Sequence, residues 1–156
     1  MTSLKRSSIE DFFLASSWVF TQEECDIWSG GKVIFPIVKE QMLEAIGWND
    51  ALNWSLTRRE ELLGVGQLII KEDQRLHMAR IILSPAHRGQ GLGRNLVAKM
   101  VEAGHSKNPK CLSLNVHPEN EKAISLYASL GFRPVMNGQE SRNGLFIYME
   151  RAGQTG

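Results

Sequence analysis

The sequence predicts an α/β (α+β) fold: one mixed, mostly antiparallel sheet with helices on both faces. Three features carry that expectation. Residues 51–83 hold three apolar runs joined by the short charged links RREE and EDQR, the pattern of an antiparallel meander. Residues 84–136 then alternate between helix-like and strand-like periodicity. Between these regions lies SPAHRGQGLGRNLV, residues 84–97, a turn almost without side chains that leads from a strand into a helix.

Taken in order, Leu4 to Arg6 reads as a first strand. Ser8-x-x-Asp11 opens a helix carrying Phe12 and Phe13, with Val19 beyond. Thr21-x-x-Glu24 is a capping box, in which hydroxyl and carboxylate satisfy free amides at a helix start, and that helix stops at Gly30-Gly31. Phe35-Pro36 marks a turn or loop, and Val38 to Ile46 a short helix. The meander strands are Ala51 to Thr57, Leu62 to Lys71 and Leu76 to Leu83. After the glycine turn, Leu92, Leu96, Val97, Met100 and Val101 follow helical spacing. Cys111 to His117 alternates as a strand, and Glu119 to Leu130 reads as a helix ended by Gly131. Phe132 to Met136 and Leu145 to Glu150 are the last strands, with a polar loop over 137–143.

Length and apolar content fit a single domain over residues 1–156. The formal net charge of +1, from 18 basic and 17 acidic residues, gives no basic excess, so neither a nucleic acid nor a membrane surface is an expected partner. No apolar run approaches the length of a membrane span, and MTSLKRSSIEDFF turns acidic too early for a signal peptide. Cys25 and Cys111 lack CxxC spacing and read as plain thiols in a reducing cytoplasm. No Cys/His cluster has metal-ligand spacing, so no metal is expected.

Glycine lets the backbone curl tightly and lets a ligand approach its N–H groups. A helix starting at Gly91 to Arg94 adds free amides and the positive end of its dipole, an arrangement suited to phosphate. Arg88 and Arg94 flank it. Two phosphate-binding patterns fail: a Walker loop needs Lys-[Ser/Thr] after its last glycine, where Gly93 is followed by Arg94-Asn95, and a dinucleotide fingerprint needs Gly-x-Gly-x-x-Gly in a first strand–turn–helix unit. Arg88-x-x-Gly91-x-Gly93, preceded by an aliphatic strand, and NVHPENEKAISLYASLGF at residues 115–132 instead resemble the two signatures of the GNAT superfamily of acetyl-CoA-dependent N-acetyltransferases.

That resemblance implies a sheet splayed at a cofactor cleft, with acetyl-CoA or CoA as co-substrate. The pyrophosphate would sit on the backbone of Arg88, Gly89, Gln90, Gly91, Leu92, Gly93 and Arg94. The pantetheine arm would pair like an added strand with Ile81, Ile82 and Leu83. Asn120 matches the family asparagine that contacts the cofactor. An N–H near Ile82 is placed to polarise the thioester oxygen, and Tyr127 matches the acid that protonates the leaving thiolate. Where many members carry a glutamate base on the strand before the turn, this chain has His77; where others carry a carboxylate on the next strand, it has Asn115. A neutral imidazole of pKa about 6.5 can accept a proton, so His77 is the candidate base and His117 the second. Alternation puts His77 on the same face as Ala79 and Ile81.

Plainer readings stand beside these. Tyr127 has the spacing of a core residue, Asn120 suits a helix N-cap, and Arg80, alternating with Met78 and Ile82, reads as a solvated strand residue. Trp28, Phe35 and Trp48 lie in the segment that walls the acceptor site in the family; Trp28, Phe35 and Asn115 are the substrate-binding candidates. The favoured function is acetyl transfer to a primary amine, on a small molecule or a peptide, by direct attack in a ternary complex. The alternative is a non-catalytic acyl-CoA-binding sensor or complex subunit. A homodimer fits the resemblance.

Overall fold

A computed structural model describes residues 1–136 and 146–153. The elements are β1 (Ser3–Arg6), α1 (Ile9–Ser16), α2 (Gln22–Ser29), α3 (Lys39–Ala45), β2 (Ala51–Arg58), β3 (Glu61–Ile70), β4 (Arg75–Leu83), α4 (Leu92–His105), β5 (Cys111–Val116), α5 (Glu121–Ser129), β6 (Arg133–Pro134) and β7 (Ile147–Ala152). Short 3-10 turns at Trp48–Asp50 and Pro85–His87, which periodicity does not announce, lead into β2 and out of β4. The strands form one sheet in the order β1-β2-β3-β4-β5-β7-β6. Among the described residues only β4 and β5 pair in parallel; every other neighbouring pair is antiparallel. The expected loop over 137–143 and the expected strand start at Leu145 lie outside the described residues. The strand expected over Phe132–Met136 is shorter: Phe132 is fully buried, Arg133 and Pro134 pair with β7, and the Val135 amide adds one bond to the Tyr148 carbonyl at 3.0 Å.

Local chemistry sets the helix ends. The Ser8 hydroxyl accepts the Asp11 amide and the Thr21 hydroxyl accepts the Glu24 amide, at 3.0 Å each. The Glu24 carboxylate reaches one residue beyond the cap, accepting the Phe20 amide at 2.6 Å in place of the Thr21 amide of a standard capping box. Gly30, at φ 67°, ends α2 in the left-handed conformation.

Two apolar clusters cover the sheet's faces. Leu96, Val97 and Met100 of α4 pack with Leu68, Leu76, Met78, Leu112 and Leu114, and α5 joins through Tyr127 and Ile124. On the other face Phe12, Ala15, Cys25, Trp28 and Met42 of α1 to α3 pack against Val65 and Ile82. Each fully buried aliphatic side chain contributes about 1.5–3 kcal/mol, so both layers hold the sheet.

The functional consequence lies in β4. Its register against β3 runs Val65↔Ile82 and then Gln67↔Ala79, so Arg80 and Ile81 together oppose Gly66. This is a β-bulge, and Arg80 sits in it at φ 51°. The extra residue reverses the alternation. Ile81 therefore packs toward α4, while Ile82 packs with the α1–α3 cluster that His77 also faces. The expectation that His77 and Ile81 share a face is corrected by this bulge. Gly66 permits it: a Cβ there would come within 2.7 Å of Met100 Sδ and 3.3 Å of Ile81 Cγ1.

Candidate active site

Beyond the bulge the sheet opens. β4 pairs with β5 only from Arg75 to Met78, against Cys111 to Leu114. Past that point the strands splay, leaving the β4 backbone beyond Met78 without a strand partner on that side among the described residues. A cleft of about 340 Å³ fills the gap. It is lined by Trp18, Glu24 and Trp28 from the α1–α2 region, by β4 from Met78 to Ile82, by Leu114 to His117, and by Asn120 and Tyr127.

At one end of the cleft stands the glycine turn. Gly89 and Gly91 adopt φ 81° and 76°, a region L-residues avoid. Gly91 is the N-cap of α4; among the described residues no side chain caps that helix, and its first turn carries no carboxylate. The amides at the start of this 14-residue helix therefore face outward with the positive end of its dipole. A Cβ on Gly89 or Gly91 would meet nothing within 4 Å, so both glycines border open space. Arg88 and Arg94 are exposed at the rim; Arg88 donates to the Leu83 carbonyl at 3.2 Å and Arg94 donates to the Ser129 hydroxyl. Leu92 anchors the helix start in the core, Gln90 is exposed, and the Gly93 position lies 3.5 Å from Leu126 and Leu83 side chains. The set suits a diphosphate and its attached arm: Arg88 of the glycine turn lines the cleft, so the outward-facing amides of α4 adjoin a strand edge with no strand partner among the described residues.

Tyr127 projects from α5 with 9% exposure, its ring edge-on to Phe132 at 6.1 Å. Burial pushes its pKa up to about 12. Among the described residues its hydroxyl has no hydrogen-bond partner, although the residue lines the cleft. Asn120 lines the same cleft and is also the N-cap of α5, its Oδ1 accepting the Ala123 amide at 3.3 Å. Asn115 also borders the cleft, and its Oδ1 is buried without a hydrogen-bond partner among the described residues.

His77 lies in a neighbouring chamber beneath α2, its Nδ1 2.8 Å from the Ser113 hydroxyl. Burial first, then the charges of Lys71, Arg75, Arg80 and Lys32, lower its pKa to about 3. Its environment does not support titration near 6.5. His117 lines the cleft, with Nδ1 accepting the Glu119 amide at 3.2 Å. In the neutral ring that leaves Nε2 carrying the proton, a donor rather than an acceptor.

Trp28 reaches the cleft; Phe35 and Trp48 do not. Phe35 follows α2, its peptide bond to Pro36 is cis, and it borders a separate apolar hollow with Phe13 and Leu14. Trp48 packs edge-on to Phe12 at 5.4 Å.

The reading of Arg80 as a solvated strand residue is also corrected. It is 8% exposed, and its Nε donates to Gln67 Oε1 at 2.7 Å. Gln67 in turn donates to Asn53 Oδ1 at 2.8 Å and to the Ile46 carbonyl at 3.1 Å. The Arg80 carbonyl accepts from Trp28 Nε1 at 3.0 Å, tying α2 to the bulge. Sequence reasoning missed this brace. Its signal is present in LLGVGQLII, where two glycines and a glutamine interrupt an apolar strand.

The sequence model of the acetyltransferase (GNAT) family matches residues 19–132. An N-acetyltransferase 9-like protein of Nematostella vectensis is 25% identical over 134 residues, covering 83% of this chain. The chain spans 60% of that relative's length. The [ribosomal protein bS18]-alanine N-acetyltransferase of Escherichia coli K12 is 29% identical over 105 residues, covering 60% of this chain and 69% of the relative. The crystal structure of PaiA N-acetyltransferase from Thermoplasma acidophilum in complex with coenzyme A shares the fold, with a TM-score of 0.70 and 21% identity, covering 97% of this chain and 99% of that one.

Proposed function

This chain belongs to the acetyltransferase (GNAT) family, and we propose that it moves an acetyl group from acetyl-CoA to a primary amine by direct attack within a ternary complex. The observation that carries this reading is one cleft joining an uncapped helix N-terminus, an unpaired strand edge and the hydroxyl of a buried tyrosine. Bound acetyl-CoA supplies a thioester carbonyl there.

The amides from Arg88 to Arg94 hold the diphosphate, and the backbone of Ile81, Ile82 and Leu83 receives the arm, with an N–H near Ile82 polarising the carbonyl oxygen. Asn120 fixes the start of α5 and borders the arm. Tyr127 donates a hydrogen bond to the departing sulfur. With a pKa of about 12 it stays protonated. Complete transfer to a thiolate whose thiol has pKa about 8.5 would be uphill by about 5 kcal/mol, so donation stabilises the charge and solvent completes the protonation.

His77 is a poor sink for the amine's proton. Passing a proton from an amine of pKa about 9 to an imidazole of pKa about 3 costs about 8 kcal/mol. Losing it to water at pH 7 costs about 2.7 kcal/mol. In this reading the amine therefore sheds its proton to solvent, and His77 remains neutral beside it.

The E. coli relative is named for an alanine α-amine, so peptides with N-terminal alanine are the first acceptors to test. The assay follows CoA release and product mass over a panel of N-terminal peptides, lysine peptides, amino acids and polyamines. Acetylation of at least one amine is expected. CoA binding without transfer to any amine would favour the acyl-CoA-binding module instead, and failure to bind CoA would remove both readings.

A further inference from the structure

In the acetyl-transfer reading the edge of β4 takes the arm of the cofactor and α5 supplies Tyr127. The wall of the cleft left for the acceptor is then the one built by the α1–α2 region, with Trp18, Glu24, Ile27 and Trp28. Glu24 is the one carboxylate among the cleft's described lining residues, and two indoles and an exposed aliphatic side chain share its wall. A carboxylate and aromatic rings are the two kinds of group that attract an organic ammonium.

Glu24 is also held in place. It stands in the first turn of α2, where its amide donates to the Thr21 hydroxyl at 3.0 Å and its Oε1 accepts the Phe20 amide at 2.6 Å. Its second oxygen, Oε2, has no partner among the described residues. The next carboxylate along the helix, Asp26, is engaged with the Gln22 side chain at 2.7 Å. The other titratable groups among the described lining residues are Arg80, Arg88, His117 and Tyr127, none of them an anion. A primary amine of pKa about 9 reaches the protein as an ammonium. We propose that the Glu24 carboxylate holds that ammonium against the wall of Trp18 and Trp28, and so selects amines over alcohols as acceptors. Glu24 is a specificity-determining residue: it binds the cation, and the proton then leaves to solvent as the neutral amine turns to the thioester. This rests on the acetyl-transfer reading for its purpose, but binding does not depend on turnover.

Calorimetry on the full chain saturated with CoA tests it at about pH 6, where each amine probe is an ammonium. The probes are amine and alcohol pairs of one shape: alaninamide with lactamide, a tripeptide amide beginning with alanine with its lactoyl analogue, and butylamine with butanol. At least one ammonium probe is expected to bind about tenfold more tightly than its alcohol, the scale of a hydrogen bond to a charged group. Glu24→Gln should bring that ratio toward one. Glutamine keeps an oxygen for the Phe20 amide, so the start of α2 is preserved, and an unchanged CoA titration shows that the variant is folded. With any amine that is acetylated, kinetics supply a second readout. A carboxylate that favours the ammonium about tenfold raises the bound amine's pKa by about one unit. Glu24→Gln should therefore move the rising limb of kcat about one unit to lower pH and raise KM for the amine about tenfold below that limb. A role in helix capping alone would move neither. Equal binding of ammonium and alcohol, no binding of any probe, a ratio indifferent to Glu24→Gln, or an unmoved limb and KM would overturn the proposal. If the ammonium preference appears and depends on Glu24 while no amine is acetylated, the ammonium site stands and acetyl transfer falls.

Discussion

Replacing Gly91 with alanine tests the anion site through backbone conformation alone. Gly91 sits at φ 76°, and a Cβ there meets no atom within 4 Å. Alanine therefore creates no clash with the protein; it creates a conformational penalty of about 1–2 kcal/mol for an L-residue held in the left-handed region. The penalty has two places to appear. If the turn keeps its shape, stability falls, and for a chain of this length Tm drops by about 2–8 °C. If the turn relaxes, ligand-free stability is spared, the amides lose their alignment, and CoA binding must restore them. Affinity then falls about 5- to 30-fold.

The two losses, expressed as free energies, should together amount to about 1–2 kcal/mol. Differential scanning fluorimetry without ligand and calorimetric titration with CoA measure them separately. Gly91→Asn separates conformation from bulk, because asparagine enters the left-handed region more readily than alanine. The larger asparagine should thus lose less in sum than alanine. Alanine and asparagine variants that both keep wild-type Tm and CoA affinity would refute the turn as the phosphate cradle.

Tyr127→Phe, which removes one hydrogen-bond donor to the departing sulfur, should lower turnover about 10²- to 10³-fold with CoA affinity nearly unchanged; a wild-type rate with chemistry limiting would return Tyr127 to a packing role. The folded-state pKa of His77, about 3, lies below its ordinary value, so below about 6.5 the unfolded chain binds the extra proton. The stabilisation is complete above that pH and is lost as pH falls toward 3, at up to about 1.4 kcal/mol per unit. His77→Gln should flatten the decline in urea midpoint between pH 7 and pH 5, and an unchanged slope would count against a buried neutral imidazole. The pH–rate profile should follow the pKa of each amine supplied; a limb near 6.5 that ignores the amine and vanishes in His77→Gln would restore that histidine as the base. Trp28→Phe leaves the Arg80 carbonyl without its indole donor and should cost about 1–3 kcal/mol in unfolding measurements.

The elements that announce themselves by period or cap are found close to where the sequence puts them. The Ser8 and Thr21 caps, the three meander strands and the helix after the glycine turn needed only local chemistry. The glycine turn was legible because backbone forms it, and glycines record backbone shape. The chamber beneath α2 was legible only in part: His77 and Asn115 stood out singly, but Lys32 and Lys71 come from two further segments, and no spacing rule links the four. The altered ionisation of His77 was equally hidden: a histidine on a strand looks alike in sequence whether it meets water or a ring of cations. Phe35 failed as a wall because apolar content marks burial without saying which of two hollows a side chain will face.

The bulge explains why these parts meet. A regular β4 would keep alternating, sending Ile81 to the His77 face and Arg80 to the α4 core, where an unaccompanied guanidinium costs several kcal/mol. One extra residue opposite Gly66 reverses the alternation after Ala79. Arg80 then meets Gln67, and Ile81 packs toward α4. Its conformation at φ 51° is costly for arginine, so it must be held from outside. Trp28 grips the carbonyl and Gln67 the guanidinium, and Gln67 is itself held by Asn53 and the Ile46 carbonyl. The same bulge lies next to the last residues of β4 that pair with β5, where the strand edge is released to the cleft. A single insertion thus opens the cleft, sorts the side chains around it, and carries through Trp28 the α2 wall on one side of the cleft. The strain at Arg80 is best read as part of the site's construction, because relaxing it would return β4 to an alternation in which cleft and chamber no longer adjoin.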